Sequence, residues 1–416
     1  MPPPPRGGHY SGDVVSLVVD LYLRTSASLR GVAAALGVLA RHRQSGPAVP
    51  SPTAVRDWVL RLGCHALVRP LPAGTPWRWV IDHTGGIGPQ KLVVIAGCPM
   101  AEIPFGERAL SPADRRVVAL VPMGKSDAWR VAAELETAVR RTGAPRLIVS
   151  DQGTDLVGGI KLFRGRHPGT AAAGDAAHYG ANGLENRWER DPRWAEMLRR
   201  FAHGNHGMRQ TADAVVLSPT PRGKSRFMNV GPLLRFAGRV LSLLNRAPPD
   251  EKIVRRYGWL AEYADAVAGW REQHALVVTT IRRVRLHGLN AQTLGELERE
   301  WGPENTRLGT VMTRGHLRVY VRNTVKIARP GETLAGSSEV LESAFGKLKS
   351  KTGADGTGEL TGMALALGAI LGRPAGEAIR AARDAVPQKK AAGMIRRLFG
   401  ATVGRRRRKL FADAKA

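Results

Sequence analysis

The residues best suited to chemistry in this chain are acidic, and they fall where apolar segments end. Asp82 closes WRWVID, in which Trp77, Trp79 and Ile81 alternate with Arg78, Val80 and Asp82 in the period of two of a strand. Asp151 follows PRLIVS, Pro145 to Ser150, a continuous apolar run of the kind buried on both faces of a sheet. A carboxylate at the end of a core strand is costly unless a cation meets it. Taken alone, Asp82 reads as a surface residue at a hairpin end; the placing of the other acidic residues is what changes that reading. The third acidic position is GSSEVLESAFGKLKSK, where Glu339 and Glu342 compete. Val340, Leu341, Ala344, Phe345 and Leu348 define one helical face. On a helical wheel Glu339 points almost opposite that face and Glu342 lies at its border, so Glu342 is the expected ligand. Hard carboxylate oxygens suit Mg²⁺.

The elements that must carry these residues follow from periodicity. Helices are expected over Asp13 to Leu23, Ser28 to Leu39, and from a Thr53 cap to a Gly63 stop. Three short helices with Arg30, Arg56 and Arg61 facing outward fit a helix-turn-helix module over residues 1–70, or a plain three-helix bundle. From Trp77 the pattern turns to strands: one ending at Asp82, a turn at Thr84, Gly85 and Gly86, a second over Lys91 to Ala96 and a third over Arg116 to Pro122. A helix capped by Ser126 runs to Gly143, the strand before Asp151 follows, Asp155 to Phe163 is a short helix, Thr170 to Gly174 a fifth strand, and Ala176 onward a helix. From Leu184 the chain is mainly helical, with one long stripe from Ile253 through Tyr257, Leu260, Ala264 and Val267 to Trp270. Leu360 to Leu371 and Ala375 to Ala385 are expected as helices. The expected divisions are 1–70, a core over 71–183, a helical insertion over 184–332, the rest of the core over 333–385, and a basic tail over 386–416.

Composition narrows the partners. Lys and Arg number 63 against 35 Asp and Glu, a formal net charge of +28, which attracts polyanions. Nucleic acid ranks ahead of an anionic membrane, because no lipidation signal or basic amphipathic anchor is present. No apolar run approaches the roughly 20 residues of a membrane span, and MPPPPRGGHY reads as neither a secretory nor a transit signal, so a cytoplasmic protein is expected. Two cysteines, Cys64 and Cys98, are too few for a disulfide framework or a cysteine zinc site.

The order of three meandering strands, helix, strand, helix, strand, helix resembles the ribonuclease H-like fold. The resemblance implies an α/β mixed five-stranded sheet with flanking helices, an N-terminal helix-turn-helix domain and a large all-helical insertion before the catalytic glutamate. In that fold strands one and four lie side by side, so Asp82 and Asp151, roughly 70 residues apart in sequence, would leave neighbouring strand ends and share a divalent metal.

Together, VIDHTG, LIVSDQG and SSEVLESAFGKLK resemble the DDE transposases of bacterial insertion elements. One branch of them shares a Gly-Pro-Lys run after the first aspartate (Gly88, Pro89, Lys91), an Asp-x-x-His pair (Asp175, His178), and an Arg/Lys-x-Arg-Phe-x-Asn segment (Lys224, Arg226, Phe227, Asn229). It also shares a Ser-Glu-x-x-Glu-Ser-x-Phe-Gly-Lys motif (Ser338 to Lys347). Some relatives carry Tyr and Arg ahead of the glutamate, where this chain has Ala335 and Ser338; only Lys349 after it matches.

The resemblance implies a transposase, a polynucleotidyl transferase and DNA endonuclease that cleaves and joins DNA strands at the ends of an insertion element. Asp82, Asp151 and Glu342 would hold two Mg²⁺ ions, with Mn²⁺ as substitute. Glu339, Asp175, His178, His83 and Lys349 are accessory candidates, against structural roles such as strand-end caps and hydrogen-bonded histidines. Expected DNA contacts are Arg56 and Arg61 of the helix-turn-helix, Arg222, Lys224 and Arg226 of a basic loop, Lys347, and Arg405, Arg406, Arg407 and Arg408 of the tail. The expected partner is double-stranded DNA, as terminal inverted repeats and target, bound by a homodimer or larger assembly at the bacterial nucleoid. The competing reading is a catalytically inactive or host-adopted transposase-derived DNA-binding protein.

Overall fold

The computed structural model describes residues 9–42, 48–85, 91–220, 226–304, 306–352, 362–401, 407–408 and 410–412. The chain forms two compact units: residues 1–104, 108–173 and 338–416 make the first, and residues 105–107 and 174–337 the second. The second unit is wider than the 184–332 expected of a helical insertion, and the amino-terminal helices belong to the same unit as the sheet.

The first unit opens with α1 (Gly12–Arg24), α2 (Leu29–His42) and α3 (Pro52–Val68). Ser51, rather than Thr53, caps α3: its hydroxyl accepts from Ala54 N at 3.1 Å, and Pro52 fills the first turn, where a missing N–H costs nothing. Gly63 does not stop this helix. A Cβ there would lie 1.9 Å from the Leu365 carbonyl oxygen, so glycine is needed for close approach of another segment, and α3 runs on to Val68.

Five strands follow with helices between them: β1 (Trp77–Gly85), β2 (Lys91–Pro99), β3 (Arg116–Met123), α4 (Ala128–Thr142), β4 (Leu147–Ser150), α5 (Thr154–Arg166) and β5 (Ala171–Gly174). The sheet order is β3-β2-β1-β4-β5; β1 and β2, and β2 and β3, are antiparallel, whereas β1 and β4 are parallel. Thr84 and Gly85, expected as a turn, extend β1 by pairing with Leu92 and Lys91. Asp127 rather than Ser126 caps α4, accepting from Arg130 N at 3.0 Å. Trp77, Trp79 and Ile81 face a core shared with Val93, Ile95, Val131, Leu135, Ile148 and Phe163. The opposite face of β1 is equally dry, since Arg78 and Val80 are no more than 1% exposed. Burying both faces explains why β1 reads as almost continuously apolar.

The second unit is built from α6 (Ala176–Trp188), α7 (Pro192–Met208), α8 (Gly231–Leu244), α9 (Glu251–Tyr257), α10 (Ala264–His287), α11 (Thr293–Trp301) and α12 (Leu308–Val325). The stripe expected from Ile253 to Trp270 is broken by a 3₁₀ segment, Gly258–Tyr263, between α9 and α10. Aromatic side chains dominate its core: the rings of Trp188 and Trp194 lie 4.6 Å apart, and Trp194 meets Trp270 edge-on at 5.0 Å.

Returning to the first unit, the chain forms α13 (Glu339–Thr352), α14 (Ala366–Ile370), α15 (Glu377–Ala385) and α16 (Gln388–Phe399). The helix expected over Leu360 to Leu371 is split into a 3₁₀ turn, Gly362–Leu365, and α14. Helix α3 packs against α14, α15, α16 and β3 as well as α1 and α2, which makes it a central helix of this unit.

Candidate active site

The parallel register of β1 and β4 sets the site. Its last pair is Ile81 with Ser150, so Asp82 and Asp151 are the next residues along two adjacent strands, which in sheets lie about 4.8 Å apart. Asp82 is buried, and its Oδ1 accepts from His83 N at 2.6 Å. Asp151 is half-buried, and its Oδ1 accepts from Gly153 N at 3.1 Å, folding the chain into the start of α5. Helix α13 packs against β1 and brings Glu339 and Glu342 in its first turn to the same unit. Val340, Leu341, Ala344, Phe345 and Leu348 are buried as the helical wheel requires. Glu339 and Glu342 are both half-buried, so the expected contrast in exposure between them is not seen.

A fourth carboxylate, Asp155, expected only as the start of a helix, belongs to this neighbourhood. His83 Nε2 lies 3.4 Å from Asp155 Oδ2. A Cβ on Gly153 would sit 3.1 Å from Asp151 Oδ1 and 3.2 Å from Asp155 Oδ1, so both carboxylates flank that glycine. Burial pushes the Asp155 carboxyl up, but the Ser126 hydroxyl, His83, the Leu156 amide and Lys91 outweigh it and hold the group below its ordinary value. The signal was present as DQGTD, an aspartate four residues after Asp151 in the first turn of a helix.

The donor set is all carboxylate and suits a hard cation such as Mg²⁺, and the β1–β4 register places Asp82 and Asp151 side by side. Among the described residues, however, no three His, Cys, Asp or Glu side chains are grouped so as to hold a metal ion. Asp82 and Asp151 each use Oδ1 to accept from a neighbouring backbone amide.

The remaining candidates fall elsewhere. Asp175 and His178 lie in the second unit. There Asp175, fully buried, caps α6 through His178 N at 2.8 Å and pairs with His178 Nδ1 at 3.0 Å. The Asp-x-x-His spacing is thus that of a helix cap reaching its third residue. Lys347 and Lys349 are half-buried on α13. Arg56 pairs with Asp57 at 3.0 Å. Arg61 donates through Nε to the Val386 carbonyl at 2.6 Å and through Nη2 to that of Arg383, closing the end of α15. With Leu60, Met363 and Ile395, these two arginines line a cleft of about 360 Å³. Phe227, expected as the aromatic of a basic loop, is instead 4% exposed in the second unit's core, against Trp188 and Trp194. Arg226 opens the 3₁₀ turn Arg226–Met228. Arg407 and Arg408 are exposed; Arg222, Lys224, Arg405 and Arg406 lie outside the described residues.

No protein-family model and no curated protein matches the chain. Among solved structures it is similar to a Drosophila P element transposase strand transfer complex, with a TM-score of 0.42 and 11% identity over 90% of this chain and 94% of that one. A likeness at that score and identity says nothing about chemistry. No helix among the described residues is long and apolar enough to cross a membrane.

Proposed function

We propose that this chain is a DDE-type transposase with a ribonuclease H-like core, which cleaves DNA at the ends of an insertion element and transfers the strands to a target. The observation that carries this reading is the parallel pairing of β1 with β4, which sets Asp82 beside Asp151. The packing of α13 against β1, bearing Glu342, supports it, as do the motifs around all three residues and a net charge of +28.

In this reading Asp82, Asp151 and Glu342, with Glu339 as alternative to the last, hold two Mg²⁺ ions, or Mn²⁺ in their place. Bound metal supplies Lewis-acid activation of the attacking oxygen and stabilises charge on the leaving one. The chain's own residues prepare for that. Gly153 leaves the space between Asp151 and Asp155 free of a side chain. His83 places Nε2 within 3.4 Å of Asp155 Oδ2, so its ring lies beside the carboxylates. The partners are double-stranded terminal repeats and target DNA, engaged at the bacterial nucleoid by a dimer or larger assembly.

The test is to incubate the protein with DNA carrying its own element's ends, with and without Mg²⁺, beside Asp151→Asn. Metal-dependent strand cleavage by the wild type should fall on the order of 10³-fold or more in the variant. A net charge of +28 fits equally well one second reading, a DNA-binding protein derived from a transposase. Binding of the ends with no metal-dependent cleavage by either protein would establish it.

A further inference from the structure

Helix α13 carries a cationic cluster downstream of the acidic pair, and three separate contacts assemble it. Lys351 donates to the carbonyls of Tyr22, Thr25 (3.0 Å) and Ala27 (3.4 Å), and its ammonium lies 4.0 Å from the Tyr22 ring centre. That pins the end of α1, with Arg24 in its last turn, onto the carboxyl-terminal part of α13. Lys347 stands one turn before Lys351 on the same helical face. On another side, α14 and the 3₁₀ turn Pro112–Asp114 pack against α13, and Gly372 N donates to Pro112 O at 2.7 Å, which delivers the next residue, Arg373, to the same helix.

Arg373 is the one non-glycine residue with positive φ among the described residues, at +36°, and glycines at +87° and +51°, Gly372 and Gly376, bracket it. Glycine adopts such a backbone freely and arginine does not, so the strain is held for a reason beyond the turn. Its Nε is buried with no hydrogen-bond partner among the described residues. No carboxylate among them pairs with Lys347 or Arg373, while Arg24 shares Asp20 at 3.1 Å. Burial, with repulsion from Arg373 and Arg24, pushes the Lys347 ammonium below its ordinary value. Like charges brought together in this way raise the energy of the empty protein, and an anion offsets it.

We propose that Lys347, Arg373 and Arg24 form a seat for a backbone phosphate of duplex DNA. A guanidinium fork and an ammonium match phosphodiester oxygens, and they bind without reading sequence. Five residues set Lys347 about 7.5 Å along α13 from Glu342 and about 140° around it, so the seat takes a phosphate of the flanking duplex on another side of the helix from the one to be cleaved. The inference rests on the transposase reading and sharpens where its substrate lies.

The test measures binding of a random-sequence duplex by fluorescence anisotropy across a salt series, with no divalent metal, so that cleavage plays no part. Arg373→Gly should melt at a higher temperature, because the strain is gone, yet bind at least about 5-fold more weakly with the slope of log K against log salt reduced by about 1. Lys347→Met should show the same change in slope, the double variant should lose about 2, and Arg373→Lys should retain the slope. Wild-type affinity and slope in Arg373→Gly would overturn the seat, as would a lower melting temperature in that variant. Unchanged DNA binding together with lost binding to phosphatidylserine vesicles would overturn it in favour of a membrane. Because Asp151-dependent cleavage is a separate measurement, the seat can fail while the active site stands, or the reverse.

Discussion

The two ends of the central sheet carry opposite charges and treat them differently. At the end where β1 and β4 begin, Arg78 and Arg146 are buried, and Arg115, just before β3, is 1% exposed with Nη1 donating to Cys98 Sγ at 3.1 Å. Beside them Arg141 of α4 donates to four carbonyls, those of Val117, Val118, Ala66 and Arg69, at 2.8–3.2 Å. The Arg141 guanidinium ties α4 to the end of α3 and to the edge strand β3. At the other end, Asp82 and Asp151 accept from amides one and two residues away in their own segments, so those hydrogen bonds fasten no second element to the sheet. Charge committed to distant backbone builds a fold, whereas charge held by local amides can be redirected to a ligand.

That contrast can be broken by substitution at each end. The largest effect on stability is expected at the basic end. Arg141→Ala leaves four partly buried carbonyls without their donor and should cost about 3 kcal/mol or more in urea unfolding, from the price of unsatisfied buried groups. If it costs nothing, the basic end is not an anchor. Asp151→Asn should leave metal-free stability near that of the wild type, yet remove the rise in melting temperature that Mg²⁺ gives. At a hundred times the dissociation constant that rise corresponds to about 2.7 kcal/mol in the wild type, and Arg141→Ala should retain it. Equal shifts in wild type and Asp151→Asn would erase the distinction between the ends.

The smallest effect concerns Asp114, beside the basic end. The hydrogen bond from Arg108 above all holds its carboxyl well below the usual carboxylate range, against the opposing effect of burial. Its folded-state pKa is depressed, so its contribution is fully present above about pH 4 and is lost as the pH falls through the folded value. Since Arg108 is largely exposed, Asp114→Asn should cost about 1 kcal/mol at pH 7, and the difference from wild type should shrink below pH 4. A difference independent of pH would mean that the ion pair contributes nothing.

Much of the acidic end was legible in the sequence. Alternation marked β1, which carries Asp82 within it, and a short apolar run marked β4, which Asp151 follows; the parallel pairing of those strands sets the two aspartates side by side. What was missed depends on which segments meet. Asp155 meets His83, 72 residues earlier, at a contact that no local period encodes. Gly63 read as a stop because glycine commonly follows a helix, whereas here the missing side chain admits Leu365, some 300 residues later. Arg61 lay on an outward face of an isolated helix, and α15 covers that face. A helical wheel gives the direction of Glu339 and Glu342 but not the height of the neighbouring wall, and so both proved half-buried.

The contact between Gly63 and Leu365 also bears on the order of events during synthesis. Helix α3 finds three of its neighbours in α14, α15 and α16, and Lys351 closes the end of α1, so the first helices, though they pack on one another, lack these partners until some 300 further residues have left the ribosome. Until then their apolar faces stay exposed to aggregation or to chaperones, and closing so long a loop makes this a slow, late step. Helix α13 arrives in the same late segment. A nascent chain therefore holds Asp82 and Asp151 long before it holds Glu342, and the first unit is complete only when α13 to α16 join the first helices.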